Sequence, residues 1–155
     1  MKRITLVTLF LFFSASGFSQ TGNENKAIYN EALARRLGGT NGMKKYVMAF
    51  LKAGPNRPKD STVAAQLQAA HMKNIQRMAD DGMLILAGPF LDGKELRGIY
   101  IFNVESLEEA RKLTETDPAV KAGSLVMELH PWYGSAALQE VAAIHKSILK
   151  PSEAH

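Results

Sequence analysis

Apolar residues recur with two different periods along this 155-residue chain, and the switches between them mark its elements. Tyr29, Leu33 and Leu37 lie four apart, predicting a short helix or a tether that stops at Gly38-Gly39. Lys44 to Lys52 is rich in Tyr, Val and Phe and predicts a strand, broken by Gly54, Pro55, Asn56, Arg57 and Pro58. A long helix is expected over Ser61–Gly82, with Asp60 or Ser61 as its N-cap and Gly82 as its stop. Met83 to Ala87 is a continuous apolar run, expected to be a buried strand that Gly88-Pro89 ends. Asp92-Gly93 signals a turn, and Arg97 to Val104 completes a hairpin. Ser106 with Glu109 forms a capping box for a second helix carrying Leu107, Ala110 and Leu113, which Asp117-Pro118 ends. Ser124 to His130 reads as the last strand, closed by Pro131, and Ala136 to Leu149 as a terminal helix.

The order strand, helix, strand, strand, helix, strand predicts an α+β fold of the ferredoxin-like βαββαβ type. Its sheet is antiparallel and carries both helices on one face. The strands are apolar on both sides: Tyr46, Met48 and Phe50 alternate with Val47, Ala49 and Leu51, and Ile99 and Ile101 with Tyr100 and Phe102. A sheet wetted on one side would alternate apolar with polar. The second face therefore needs a cover, either the terminal helix or a second copy of the chain. A homodimer packed sheet on sheet is the favoured expectation, because the terminal helix is short.

The first residues read differently from the rest. Lys2 and Arg3 precede an apolar run from Ile4 to Phe13, and Gly17 and Ser19 supply small residues before Gln20. A run of about ten residues suits the core of a signal peptide, and spanning a bilayer takes about 20. The expected division is a signal peptide over 1–19, an N-terminal extension over 20–43, a domain over 44–133, and a C-terminal helix and tail over 134–155. Cleavage before Gln20 would give a periplasmic or secreted protein with no membrane anchoring; no cysteine is present to carry a lipid. The whole chain has 19 basic and 15 acidic residues. Losing Lys2 and Arg3 leaves 17 against 15, a net charge of +2, too weak a field to argue for nucleic acid. The lack of cysteine also removes disulfides, thiol nucleophiles and thiolate metal sites.

His71 is the chain's most informative residue. Val63, Leu67, His71 and Ile75 stack at four-residue spacing on one helical stripe, so the imidazole is expected to enter the core with its aliphatic neighbours. A buried imidazole needs hydrogen-bond partners, since leaving it unpaired costs roughly 1–3 kcal/mol. It is then either a satisfied structural histidine or a poised acid/base.

The run His71-Met-Lys-Asn-Ile-Gln-Arg-Met-Ala-Asp-Asp-Gly82-Met-Leu-Ile-Leu-Ala-Gly88-Pro89 resembles the core of the YciI-like (YCII-related) family. So does Thr116-Asp117-Pro118-Ala-Val120-Lys-Ala-Gly123, followed by a strand ending His130-Pro131-Trp132. The resemblance covers roughly Lys44 to Tyr133 and implies the dimeric α+β barrel superfamily. It also implies a His–Asp pair as the candidate active site, carried over here onto His71 and Asp117. Most members of that family have no assigned reaction, and one branch is a dehydrochlorinase of a chlorinated hydroxyquinone. This chain departs from the simplest family pattern in its export signal, N-terminal segment and terminal helix.

If Asp117 accepts a hydrogen bond from one nitrogen of His71, it fixes the tautomer and leaves the other nitrogen free to move a proton. Isomerase, lyase and hydrolase chemistry on a small molecule then come within reach, with no metal and no cofactor. The alternative is a non-catalytic periplasmic ligand-binding or accessory module of the same fold. Arg57, with Lys52 and Arg97, either guides an anionic ligand or is a solvated loop charge. Trp132 and Tyr133 either line a pocket for a flat substrate or serve in strand-end packing or a dimer contact. Glu128 is either a second carboxylate near the site or an exposed position. His130, His145 and His155 lack metal-ligand spacing.

Overall fold

The computed structural model of the protein describes residues 28–150. The expected export signal lies outside them. Helix α1 spans Glu31–Leu37, with the Asn30 side chain accepting from the Leu33 amide. Strand β1 (Met43–Ala53) follows, then the long helix α2 (Ser61–Asp80) and strands β2 (Leu84–Pro89) and β3 (Leu96–Phe102). Helix α3 (Leu107–Thr114), the one-turn helix α4 (Pro118–Lys121) and strand β4 (Leu125–Ser135) come next. A 3₁₀ turn (Ala136–Glu140) then leads into α5 (Val141–Ile148).

The four strands form one antiparallel sheet in the order β2-β3-β1-β4. This is the βαββαβ arrangement: β1 and β3 sit at the centre and the two βαβ units interleave. Local chemistry sets the element ends. Asp60 Oδ1 caps α2 through the Thr62 and Val63 amides at 2.8 and 2.9 Å. Past Asp81, Gly82 takes a left-handed φ of 71°, which lets the chain turn at once into β2. The Ser106–Glu109 capping box on α3 is formed in both directions.

One sheet face packs under α2 and α3. Val47, Ala49, Leu51, Tyr100 and Phe102 from the central strands meet Met78 of α2 and Ala110 of α3. Phe102 is wholly buried, and burial of such a ring stabilises the fold by roughly 1.5–3 kcal/mol. The other face gathers Tyr46, Ile85 and Ile101, and Leu138 and Val141 of the terminal segment pack against them. The terminal helix thus covers part of the second face. Phe50 and Ile99 stay half-buried and Val126 is exposed.

Several expectations need correction. Pro131 does not close β4; the strand runs on to Ser135, with Pro131 opposite Val47 of β1. β4 is an edge strand, where a missing N–H is tolerated. Gly88 and Pro89 likewise belong to β2, the other edge. The second helix ends at Thr114, before Asp117, and Asp117 caps a new turn instead of ending the old one. The terminal helix is a 3₁₀ turn followed by two α-helical turns. Val63 is half exposed, because a strict four-residue stripe drifts around a 3.6-residue helix by about 40° per step. The buried side chains of α2 are His71, Asn74 and Met78.

Candidate active site

His71 lies midway along α2, on the side facing the sheet, with 7% of its surface exposed. Asp117 has none exposed. The residue before a proline is held in extended geometry, and Asp117 takes φ −75° and ψ 120° ahead of Pro118. That conformation leaves its carboxylate free to cap α4. Oδ1 accepts from the Ala119 amide at 2.8 Å, and Oδ2 lies 2.7 Å from His71 Nδ1. Both oxygens are engaged, so the carboxylate is held in place. An ionised Asp117 requires the proton on Nδ1, which in neutral imidazole leaves a lone pair on Nε2.

A second network fixes the loop that carries Asp117. Arg77 donates to Asn74 Oδ1 at 2.9 Å and to the Thr116 hydroxyl at 3.0 Å, and Thr116 donates to the Leu113 carbonyl at 2.7 Å. Asn74 lies one turn beyond His71 on α2, and its Oδ1 is 3.1 Å from the Thr116 hydroxyl, so helix and loop are tied together beside the pair.

The sequence reading missed Tyr100. Its hydroxyl stands 3.3 Å from His71 Nε2, and its ring lies nearly parallel to the imidazole, at 18° with centroids 6.4 Å apart. Burial pushes the phenol's pKa up, and the charge of Asp117 adds to the push. Tyr100 therefore stays protonated and donates to Nε2. Its alternation with Phe102 puts it on the helix-covered face, under α2.

His71 and Tyr100 form part of the wall of a cavity of about 340 Å³ between α2 and the β2–β3 end of the sheet. Arg57, Arg97 and Gln68 supply its other polar side chains. Arg57 is positioned by a close backbone approach: the Gly54 amide donates to the Ser124 carbonyl and the Asn56 amide to the Gly123 carbonyl. A Cβ on Gly54 would stand 2.1 Å from the Gly123 oxygen, so only glycine allows the loop to sit there.

The other candidates lie elsewhere. Trp132 packs on Tyr46 on the opposite face, with centroids 5.9 Å apart. Tyr133 is 53% exposed, and its hydroxyl donates to the Thr40 carbonyl. The two border a separate depression that includes neither His71 nor Asp117. Trp132 and Tyr133 therefore do not line the His71 cavity; Trp132 packs against Tyr46 and both border the separate depression. Lys52 and Glu128 pair with each other on the second face, where Glu128 also meets His130 Nε2 at 2.9 Å. The Lys52 and His130 hydrogen bonds hold the Glu128 carboxyl below the usual carboxylate range. Among the described residues, no group of three or more His, Asp or Glu side chains is placed to hold a metal ion.

The model of the YCII-related domain matches residues 48–133, a span that takes in His71, Tyr100 and Asp117. The chain belongs to this family. Over 64 residues the chain is 33% identical to the uncharacterized protein YjpA of Bacillus subtilis (strain 168), covering 41% of this chain and 73% of that protein. Among solved structures, the chain is similar to the 5-chloro-2-hydroxyhydroquinone dehydrochlorinase of Burkholderia phenoliruptrix AC1100, determined in complex with 2,5-dihydroxybenzoquinone. That likeness has 21% identity and a TM-score of 0.43, and covers 56% of this chain and 92% of that one.

Proposed function

We propose that this YCII-related protein is an exported enzyme of small-molecule metabolism, in which His71 moves a proton and Asp117 holds the ring ready for it. The observation that carries the reading is the line Asp117 Oδ2, His71 Nδ1, His71 Nε2, Tyr100 hydroxyl, fixed at one end by an amide and bordering a cavity at the other. With Nδ1 tied to the carboxylate, Nε2 is the nitrogen that takes a proton from a bound molecule, once that molecule displaces the Tyr100 hydroxyl from it. Asp117 stabilises the imidazolium that results, and the same nitrogen returns the proton. Such a group contributes about 10²–10⁴ in rate. Isomerisation, elimination and hydration beside a carbonyl all fit this single acid/base.

Export is proposed on the basic start and the apolar run of residues 4–13, with a periplasmic or secreted mature chain. A homodimer is proposed on the part of the second sheet face that the terminal helix leaves half-open around Phe50 and Ile99.

One observation favours a second reading, a ligand-binding module without turnover. Both nitrogens of His71 already have a protein partner, as a satisfied core histidine would. Incubating the mature chain with a pool of small carbonyl compounds in D2O, and reading carbon-bound deuterium by mass spectrometry, separates the two. The enzyme reading expects at least one compound to gain deuterium, and to do so about 10²–10⁴ times more slowly with a folded His71→Gln variant. Equal rates in both proteins, or no gain in either, contradict it.

A further inference from the structure

Two arginines border the His71 cavity, and no acidic side chain among its lining residues balances them. Arg97 is only partly exposed, yet it forms no ion pair among the described residues. Its Nε is buried with no hydrogen-bond partner, and its one hydrogen bond among the described residues is a long 3.4 Å approach from Nη1 to the Gly93 carbonyl. Water does not reach Nε, so the donors offered to the cavity are the terminal nitrogens, and Nη2 has no partner among the described residues. Arg57 comes to the same cavity from the loop after β1, also without an ion pair among the described residues. Asp117 stands behind His71 with both oxygens already used.

Apart from Gln68, His71 and the Tyr100 hydroxyl, the rest of the wall is apolar, formed by Leu51, Met72, Ile75 and Leu125 among others. At about 340 Å³ the space is at the small end of the roughly 300–1,000 Å³ usual for ligand sites. A planar guanidinium fork matches a carboxylate with two parallel hydrogen bonds. A multiply charged phosphate would sit badly in so apolar an enclosure.

We infer that the cavity binds a small monocarboxylic acid with an apolar body, its carboxylate held by Arg97 with help from Arg57 and its body against the aliphatic wall beside His71. The inference rests on reading this cavity as the functional site and deepens it by naming the ligand class. Arg97 is the anchor; the proton-handling pair is separate from it.

Titration calorimetry on the mature chain tests this with three probes: benzoate, its neutral isostere benzamide, and inorganic phosphate. Benzoate should bind saturably, with benzamide and phosphate weaker by about 10- to 100-fold, the worth of a charge-assisted hydrogen bond. Arg97→Gln should lose benzoate by the same factor, and Arg97→Lys should lose less. His130→Gln, on the opposite sheet face, should keep benzoate binding, and calorimetry reads binding without turnover, so a failed acid/base reading leaves this result intact. Benzamide or phosphate binding as tightly as benzoate, no benzoate binding at all, or unchanged benzoate affinity in both Arg97 variants overturns the proposal.

Discussion

Two histidine–carboxylate pairs stand on opposite faces of one sheet, and they differ in almost everything except distance. His71 and Asp117 are 2.7 Å apart, with side-chain exposures of 8% and 0%. His130 and Glu128 are 2.9 Å apart, with exposures of 48% and 47%. The first pair is bracketed by an amide on the carboxylate and a tyrosine on the far nitrogen. The second shares its carboxylate with Lys52 in open solvent. Exposed ion pairs gain little, because water screens them and the side chains must be ordered to form them. Buried pairs are costly to break, because the surviving partner is stranded away from water. Identical chemistry thus becomes either a surface detail or a fixed site according to what surrounds it.

The contrast is most exposed to disproof at the level of rate. His71→Gln should lower deuterium incorporation by about 10²–10⁴, while His130→Gln should leave it unchanged. Equal losses from both would erase the distinction.

Stability gives the next largest effect. Asp117→Ala strands His71 and removes the cap of α4, and should cost about 3–5 kcal/mol in urea denaturation. Glu128→Ala should leave the unfolding midpoint where it is. A midpoint unchanged by Asp117→Ala would show that the buried pair is not held as described.

A smaller effect belongs to alkaline pH. Burial raises the Tyr100 phenol above its ordinary value of 10.0 in the folded protein. The folded state therefore keeps a proton that the unfolded chain gives up, so this stability is fully present below pH 10 and falls as pH rises beyond it. Tyr100→Phe should flatten the alkaline decline of the unfolding free energy. An identical decline in the variant would mean that the hydroxyl is not buried against His71.

Much of this fold could be read from periodicity, because each element's apolar period matches the surface it buries. His71 was legible for the same reason: it interrupts an aliphatic stripe on α2 and is buried there. Asp117 was not. Its residue type before a proline says only that the chain turns, and it reached the candidate site through the family resemblance. Tyr100 stayed hidden because both faces of β3 are apolar, so nothing in the alternation marks which side meets a histidine. Pro131 misled because strand ends are judged locally, whereas tolerance of a proline depends on the strand lying at the sheet's edge. Trp132 and Tyr133 misled through their residue type; the pairing of β4 with β1 carries them to the far end from the cavity. Arg57 and Arg97 were visible as charges, but their meeting at one cavity depends on the loop closed by Gly54 and Gly123.

The most direct measurement is the side-chain ¹⁵N spectrum of the two histidines in their neutral forms. The account predicts that His71 holds a single tautomer, protonated at Nδ1 and unprotonated at Nε2, while His130, whose Nε2 faces Glu128, carries its proton on Nε2. A proton resident on Nε2 of His71, or tautomer averaging at both rings, would contradict it.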